Sequence, residues 1–151
     1  MSYPAGFSLV QDPGDTNMMS LPLVSAAYTR GDCVFLGDGA ISWAAVTSTT
    51  RQHTRKAVLQ ENLTDTAQLY GKAILCNTSQ VWVAEMANNT DVANNGDRMA
   101  FTDSNTVNNS DTDVATSLGC FQQLSTSGAA ADLRGVGQFV GLSGYGYSEQ
   151  V

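Results

Sequence analysis

Short apolar runs alternate with turn residues along most of this chain, a pattern typical of β-strands. Between Leu23 and Gln60 the runs LVSAAY, CVFLG, AISWAAV and KAVLQ are rich in β-branched and aromatic residues. Gly37-Asp38-Gly39 separates two of these runs, and Asp-Gly tolerates the positive φ of a tight turn. We therefore predict a hairpin from about Cys33 to Val46.

A second hairpin is predicted from GKAILC and QVWVAEM, which flank Asn77-Thr78-Ser79. Because successive side chains of a strand point to opposite faces, Trp82, Ala84 and Met86 should share one face. Val81, Val83 and Glu85 should share the other.

The remaining periodic segments add two strands and one helical candidate. Leu63, Ala67 and Tyr70 fall at helical spacing within Glu61 to Tyr70, where a loop is an equal alternative. Val114 to Leu124 and Leu133 to Leu142 predict strands, and glycines 135, 137 and 141 indicate bulges or close backbone approach in the second. Roughly eight strands with little helix predict a mainly β fold, an antiparallel β-barrel or sandwich.

The expected organisation is one β domain with irregular ends. Residues 1–22 contain all three prolines and no sustained periodicity, so they predict an irregular N-terminal arm. The β domain covers 23–142, and 143–151 form an exposed tail. Within the domain, 87–113 holds seven Asn and five Asp, which predicts a long polar loop interrupted by a short strand at 98–102 after the Asn95-Gly96 turn.

Charge limits the classes of partner. Asp and Glu number 14 against seven Lys and Arg, which gives a net charge of −7. Proteins that bind nucleic acid or anionic membranes do so with basic side chains, so neither partner is expected. The chain also contains no apolar run long enough to span a membrane and no basic, apolar leader. We expect synthesis in a cytosol.

The sequence offers little for catalysis. Cys33, Cys76 and Cys120 stand in apolar runs, which predicts three small buried hydrophobes rather than reactive thiolates. His53, the single histidine, lies among polar neighbours and is interpreted as a solvated loop residue. No nucleophile elbow, phosphate-binding loop or zinc-binding motif occurs. We therefore predict a protein that is not an enzyme and needs no cofactor or metal.

Three polar features have both a structural and a functional interpretation. Asp103, Asp111 and Asp113 could supply oxygen ligands to calcium, but their spacing fits no EF-hand, and a solvated loop is the preferred interpretation. Arg30-Gly31-Asp32 matches an adhesion tripeptide and is interpreted as a turn before a strand.

A basic cluster is the third of these features. Arg51, Arg55 and Lys56, together with His53, make up half of the potentially positive side chains. The cluster is a candidate subunit contact with an acidic patch on a neighbour, and a solvated loop is its alternative.

The whole pattern resembles the small β-rich cement, or head-decoration, proteins of tailed bacteriophages. An irregular proline-containing arm leads into LPLVSAAYTRGDCVFL, with an apolar strand after a Gly-Asp turn. Hairpins, an Asn-rich polar excursion and the glycine-punctuated strand RGVGQFVGL follow.

The resemblance implies a non-enzymatic virion protein on the capsid exterior that binds the major capsid protein and stabilises the shell. It also implies a homo-oligomer, commonly a trimer, with terminal arms that tie neighbouring subunits together. On that basis the arm residues Tyr3, Phe7, Leu9 and Val10 are the candidates for partner binding. Replacement of Phe7 and Leu9 should then weaken attachment without unfolding the domain.

A carbohydrate- or receptor-binding module, such as part of a phage fibre, is the alternative function. Trp43, Trp82, Tyr145 and Tyr147 could stack on sugar rings if they were exposed. The two tryptophans lie within strand patterns, which favours core positions for both.

Overall fold

The fold is mainly β, as the sequence predicts. A computed structural model describes residues 6–11, 18–64, 70–110, 116–127 and 133–141. In these residues it contains twelve short strands and two 3₁₀ turns, at Val92–Asn94 and Thr116–Leu118. All the strand pairs are antiparallel, and two five-stranded sheets face each other across a core. The arrangement is that of a β-sandwich, and no closed barrel is seen among the described residues.

Strand order defines the two sheets. Sheet I has the order β1-β7-β12-β11-β8, sheet II has the order β2-β6-β5-β3-β4, and β9 pairs with β10 in a separate hairpin. The strands are β1 (Ser8–Gln11), β2 (Met18–Pro22), β3 (Cys33–Leu36), β4 (Ala44–Ala45), β5 (Arg55–Leu59), β6 (Tyr70–Leu75), β7 (Val81–Glu85), β8 (Arg98–Met99), β9 (Phe101–Asp103), β10 (Thr106–Val107), β11 (Phe121–Thr126) and β12 (Arg134–Phe139).

The main core lies between the two sheets and is built around aromatic rings. The ring of Phe139 lies 5.2 Å from that of Phe7, 5.5 Å from that of Phe121 and 5.7 Å from that of Trp82. Several of these pairs have the edge-to-face geometry that aromatic rings favour. The predicted alternation along β7 is confirmed, since Trp82, Ala84 and Met86 all lie in this core.

The central strand β5 of sheet II is buried on both faces, which explains its continuous apolar run. The second face of sheet II carries a separate core that includes Leu21, Val34, Trp43 and Leu59. The edge strands of sheet II approach each other at one point, where Leu23 forms a bridge with Trp43. The interior position of Trp43 is therefore set by backbone pairing as well as by apolar contact.

Of the two predicted hairpins, only the first is correct. Val34 pairs with Ala45 and Phe35 with Ala44, so β3 and β4 form the hairpin expected between Cys33 and Val46. The second prediction is wrong, because β6 belongs to sheet II and β7 to sheet I. The turn after Cys76 thus carries the chain from one sheet to the other instead of reversing it within one.

The prediction of an irregular N-terminal arm is wrong for the described residues of that segment. Ser8–Gln11 forms an edge strand of sheet I, and Met18–Pro22 forms an edge strand of sheet II. Phe7 is only 2 % exposed and lies in the main core. The physical reason is pairing: each short segment completes a sheet edge, and Phe7 fills space between the sheets.

Two elements that the pattern offers near the second core are not found in the described residues. LVSAAY forms isolated bridges at Leu23 and Tyr28 rather than a strand. The helical candidate is not helical where it is described, since Leu63 pairs with Tyr28 and Tyr70 begins β6. Residues 65–69 lie outside the described part of the chain.

The polar segment 87–113 contributes to the core as well as to the surface. The predicted short strand is present as β8 and β9, and Gly96 has the positive φ of a turn, 92°. Met99, Phe101 and Val107 are fully buried, so the segment does not project as one solvated loop. Residues 111–113 lie outside the described residues, as does the predicted tail 143–151. In the described part of the strand expected from Val114 to Leu124, a 3₁₀ turn at Thr116–Leu118 precedes β11, which begins at Phe121.

Glycine in β12 allows a close approach that any side chain would block. A Cβ atom at Gly137 would lie 2.6 Å from the ring of Phe121. A bulge also interrupts the pairing of β11 with β12, between Gln123 and Ser125. The expected close approach is confirmed, whereas the extra residue of the bulge, Leu124, lies in β11 and not in the glycine-punctuated strand.

The position of Phe7 generates a prediction about stability. Phe7→Ala should lower the free energy of unfolding by about 3–5 kcal/mol, the range for removing a buried aromatic side chain. Val10→Ala, at a half-exposed position of the same segment, should change it by less than about 1 kcal/mol. Urea unfolding followed by tryptophan fluorescence measures both values. Equal, small effects would show that Phe7 is not a core residue.

Candidate functional site

The basic cluster around residues 51–56 divides into a buried part and an exposed part. Lys56 is completely buried in β5, so it is not available for the surface contact predicted from the sequence. Alternation along the strand places it on the face of sheet II that meets the main core. Arg51 is exposed and Arg55 is half-buried. The candidate subunit contact therefore reduces to these two arginines.

Backbone carbonyl groups satisfy the buried ammonium of Lys56. Its Nζ donates hydrogen bonds to the carbonyl oxygens of Arg51 at 2.7 Å, Gln52 at 2.9 Å and Thr54 at 2.8 Å. An ammonium group has three protons, so these acceptors match its full donor capacity. The lysine thereby fixes the backbone of residues 51–54.

The predicted burial of the three cysteines is confirmed: all are free and none is exposed. Burial raises the pKa of the thiols of Cys33, Cys76 and Cys120 above the usual 9.0, against the opposing charge of Lys56. Burial likewise lowers the pKa of Lys56, while the neighbouring cysteines oppose this shift. Thiols in this state are poor nucleophiles, because the thiolate is the reactive form.

A pocket of about 220 Å³ opens above this loop. Phe35 of β3, together with Gly37 and Asp38 of the hairpin turn that follows, forms one wall. The segment 47–54 forms the other wall and supplies mainly hydroxyl and basic side chains. The hydroxyl group of Thr47 lies 3.2 Å from that of Thr49.

One side-chain hydrogen bond connects the two walls. His53 Nε2 lies 2.9 Å from the Oδ2 atom of Asp38. Both side chains reach solvent, in agreement with the interpretation of His53 as a solvated loop residue. Within the described part of the chain, no cysteine or serine nucleophile is hydrogen-bonded to this histidine.

The predicted arm residues have different environments. Leu9 packs against the main core, Val10 is half exposed, and Tyr3 lies outside the described residues. Together with buried Phe7, this leaves Val10 as the one described member of the set that is available to a partner.

The other candidate features have mainly structural environments. Trp43 and Trp82 are buried, as predicted, and Tyr145 and Tyr147 lie outside the described residues. Asp32 of the Arg-Gly-Asp tripeptide is buried and accepts a hydrogen bond from the Thr29 N–H at 2.9 Å, which supports the turn interpretation. Asp103 is exposed, and the described residues contain no group of three or more side chains suited to hold a metal ion.

The hydroxyl wall of the pocket is not among the features predicted from the sequence. The run TSTT at 47–50 directly precedes the basic cluster, so hydroxyl and basic side chains are adjacent in the sequence. The sequence does not indicate the opposing wall. Pairing of β3 with β4 and β5 brings that wall next to the 47–54 segment.

Comparison with known proteins gives no significant match to a family model, a curated protein or a solved structure. Among the described residues, no helix has the length and apolar character needed to cross a membrane.

The three carbonyl groups that accept hydrogen bonds from Lys56 form a cage around its ammonium group. This lysine cage yields a prediction about stability. Lys56→Met should lower the free energy of unfolding by about 2–4 kcal/mol, because it leaves carbonyl groups without their donor. Removal of the buried charge of Lys56 offsets part of that loss of stability. Lys72→Met, at an exposed position of β6, should change stability by less than about 0.5 kcal/mol. Urea unfolding measures both, and a neutral or stabilising Lys56→Met would contradict the role assigned to the cage.

The buried thiols yield a prediction about alkaline pH. A thiol whose pKa is raised on folding ionises first in the unfolded state, so its contribution to stability falls as pH rises above 9. For Cys33 the loss should be up to about 1.4 kcal/mol for each pH unit above that value. Lys56 acts in the opposite direction, because its pKa is lowered on folding.

A single variant isolates the effect of one thiol. The difference in unfolding free energy between wild type and Cys33→Ala should shrink between pH 8 and 10 under reducing conditions. Val58→Ala, a core truncation in the same sheet without a thiol, should show a difference that does not depend on pH. A constant difference for Cys33→Ala as well would argue against the raised pKa.

Proposed function

We propose that this protein is a non-enzymatic virion protein that binds the outer surface of a bacteriophage capsid and stabilises the shell. The observation that carries the proposal is the exposure of β2 along an edge of sheet II. Met18 is 54 % exposed and Met19 48 %, although they point to opposite faces of the strand. Both are large apolar side chains on an edge, where a partner can reach the side chains and the backbone together.

Edge strands are natural docking elements for extended peptides. Over residues 18–21, β2 is paired with β6 on one side only, within the described residues, whereas the Pro22 carbonyl oxygen accepts a hydrogen bond from the Trp43 N–H. A strand of a capsid subunit added to the other side would gain main-chain hydrogen bonds and cover the two methionines. Val10 on β1, the edge strand of sheet I, is a second half-exposed apolar contact.

Shell stabilisation would follow from mass action. A ligand that binds only the assembled shell stabilises it according to its concentration and affinity. Repetition of one contact over many copies, and a homotrimeric arrangement of the protein, would multiply the effect through multivalency. The buried thiols and the solvent-exposed His53 fit a protein that acts by binding rather than by chemistry.

Copy number distinguishes this proposal from its alternative. Quantitative mass spectrometry of purified particles should find this chain in numbers comparable to the major capsid protein. A few copies per particle would instead favour a fibre or receptor-binding module. Absence from particles would overturn both proposals.

The contact itself is tested by variants at the exposed edge. Met18→Ser combined with Met19→Ser should weaken binding to undecorated capsids by roughly tenfold or more, because it removes apolar area from the interface. Ile41→Ser, at a loop position that is 91 % exposed, is the matched control and should bind as wild type does. Sedimentation with capsids measures occupancy, and thermal unfolding verifies that the variants are folded. Undiminished binding of the double variant would exclude β2 as the contact.

A further inference from the structure

The pocket between the hairpin turn and the 47–54 segment has the size of a site for one small ring. Its volume of about 220 Å³ lies below the ~300–1,000 Å³ of pockets that hold drug-sized ligands. Phe35 provides an aromatic surface, and the remaining wall consists mainly of short polar residues. The ligand should therefore be compact, with one apolar face and many hydrogen-bonding groups.

The pocket wall contains three kinds of polar group: a guanidinium, a carboxylate and hydroxyl groups. Arg51 supplies guanidinium donors, and its side chain has no hydrogen-bond or ion-pair partner among the described residues. Asp38 supplies a carboxylate whose Oδ2 atom contacts His53. Thr47 and Thr49 add hydroxyl groups that both donate and accept.

The pocket wall carries two opposite charges. Arg51 supplies the positive charge of the lining and Asp38 the negative charge. The anionic group of a ligand is therefore best placed at Arg51, away from Asp38.

We propose that this pocket binds a carboxylated sugar ring, of the hexuronic or sialic acid class. The carboxylate of the sugar pairs with the Arg51 guanidinium, whose planar fork matches a carboxylate. Ring hydroxyls donate to Asp38 and exchange hydrogen bonds with the threonines. The apolar C–H face of the ring packs against Phe35. This function goes beyond capsid binding and uses different residues from the β2 contact.

The design of the key variant follows from the lysine cage. Lys56 is bound by the backbone carbonyl of Arg51, so Arg51→Ala removes the guanidinium and retains the cage acceptor. Arg30→Ala, at another exposed loop arginine, is the matched control. Asp38→Asn tests the opposite wall, because it keeps the shape of the side chain and removes its charge.

Binding is measured by calorimetric titration and saturation-transfer NMR with D-glucuronate and N-acetylneuraminate as probes. At least one probe should bind wild type and Arg30→Ala with a dissociation constant on the order of 1 mM. Arg51→Ala should weaken that binding roughly tenfold or more, the loss expected for a charged hydrogen bond. Methyl glucoside, which lacks the carboxylate, and acetate, which lacks the ring, should each bind more weakly than the carboxylated sugars.

Each contrary result overturns the proposal. Neither probe binding to wild type excludes the ligand class, and equal binding of acetate shows an anion site without sugar recognition. Binding that survives in both Arg51→Ala and Asp38→Asn places the sugar elsewhere. Capsid binding by Asp38→Asn should equal that of wild type, so a failure here is distinguishable from a failure of the capsid proposal.

Discussion

The buried ammonium of Lys56 is the constraint on which the candidate site depends. Burying a charge in a core is costly unless hydrogen bonds compensate for the lost water. Here the compensation comes from three carbonyl oxygens of residues 51–54, so the cost can be met only while that segment keeps one backbone shape. Arg51, His53 and Thr54, which form part of the pocket wall, belong to the same segment. The interior of the sandwich and the shape of its surface pocket are thus coupled through one side chain.

The two cores explain why sheet II can support this arrangement. Its central strands have apolar contacts on both faces, with Val58 in one core and Ala57 in the other. A strand held from both sides positions Lys56 with little freedom. The edge strands carry less restraint, because β2 and β1 have a neighbour on one side within the described residues. The rigid centre therefore suits a shaped pocket, and the exposed edges suit a partner that adds a strand.

The sequence predicts those features that depend on neighbouring residues and misses those that depend on distant ones. The hairpin from Cys33, the alternation through Trp82 and the burial of the cysteines all follow from local pattern and were correct. The hairpin predicted at the turn after Cys76 is wrong because the same turn residues serve a hairpin and a crossing between sheets. The sequence pattern predicts surface positions for Phe7 and Lys56, since a proline-containing arm and a basic cluster usually are solvated. Their burial depends on a pairing partner and on three carbonyls that no local pattern indicates.

The two opposite charges in the pocket wall determine how the proposed sugar site would select its ligand. At physiological salt, charges further apart than about 8 Å are largely screened from one another. The acidic surface as a whole therefore neither attracts nor strongly repels a small anion until the anion comes within contact range of the pocket. Within it, the nearest charge is the Arg51 guanidinium, and Asp38 disfavours an anion placed at the opposite wall. A ligand with its carboxylate at one end and hydroxyls at the other satisfies both walls, whereas a simple anion satisfies only one. Selectivity would thus arise from the spacing of the two walls, which pairing of β3 with β4 and β5 maintains.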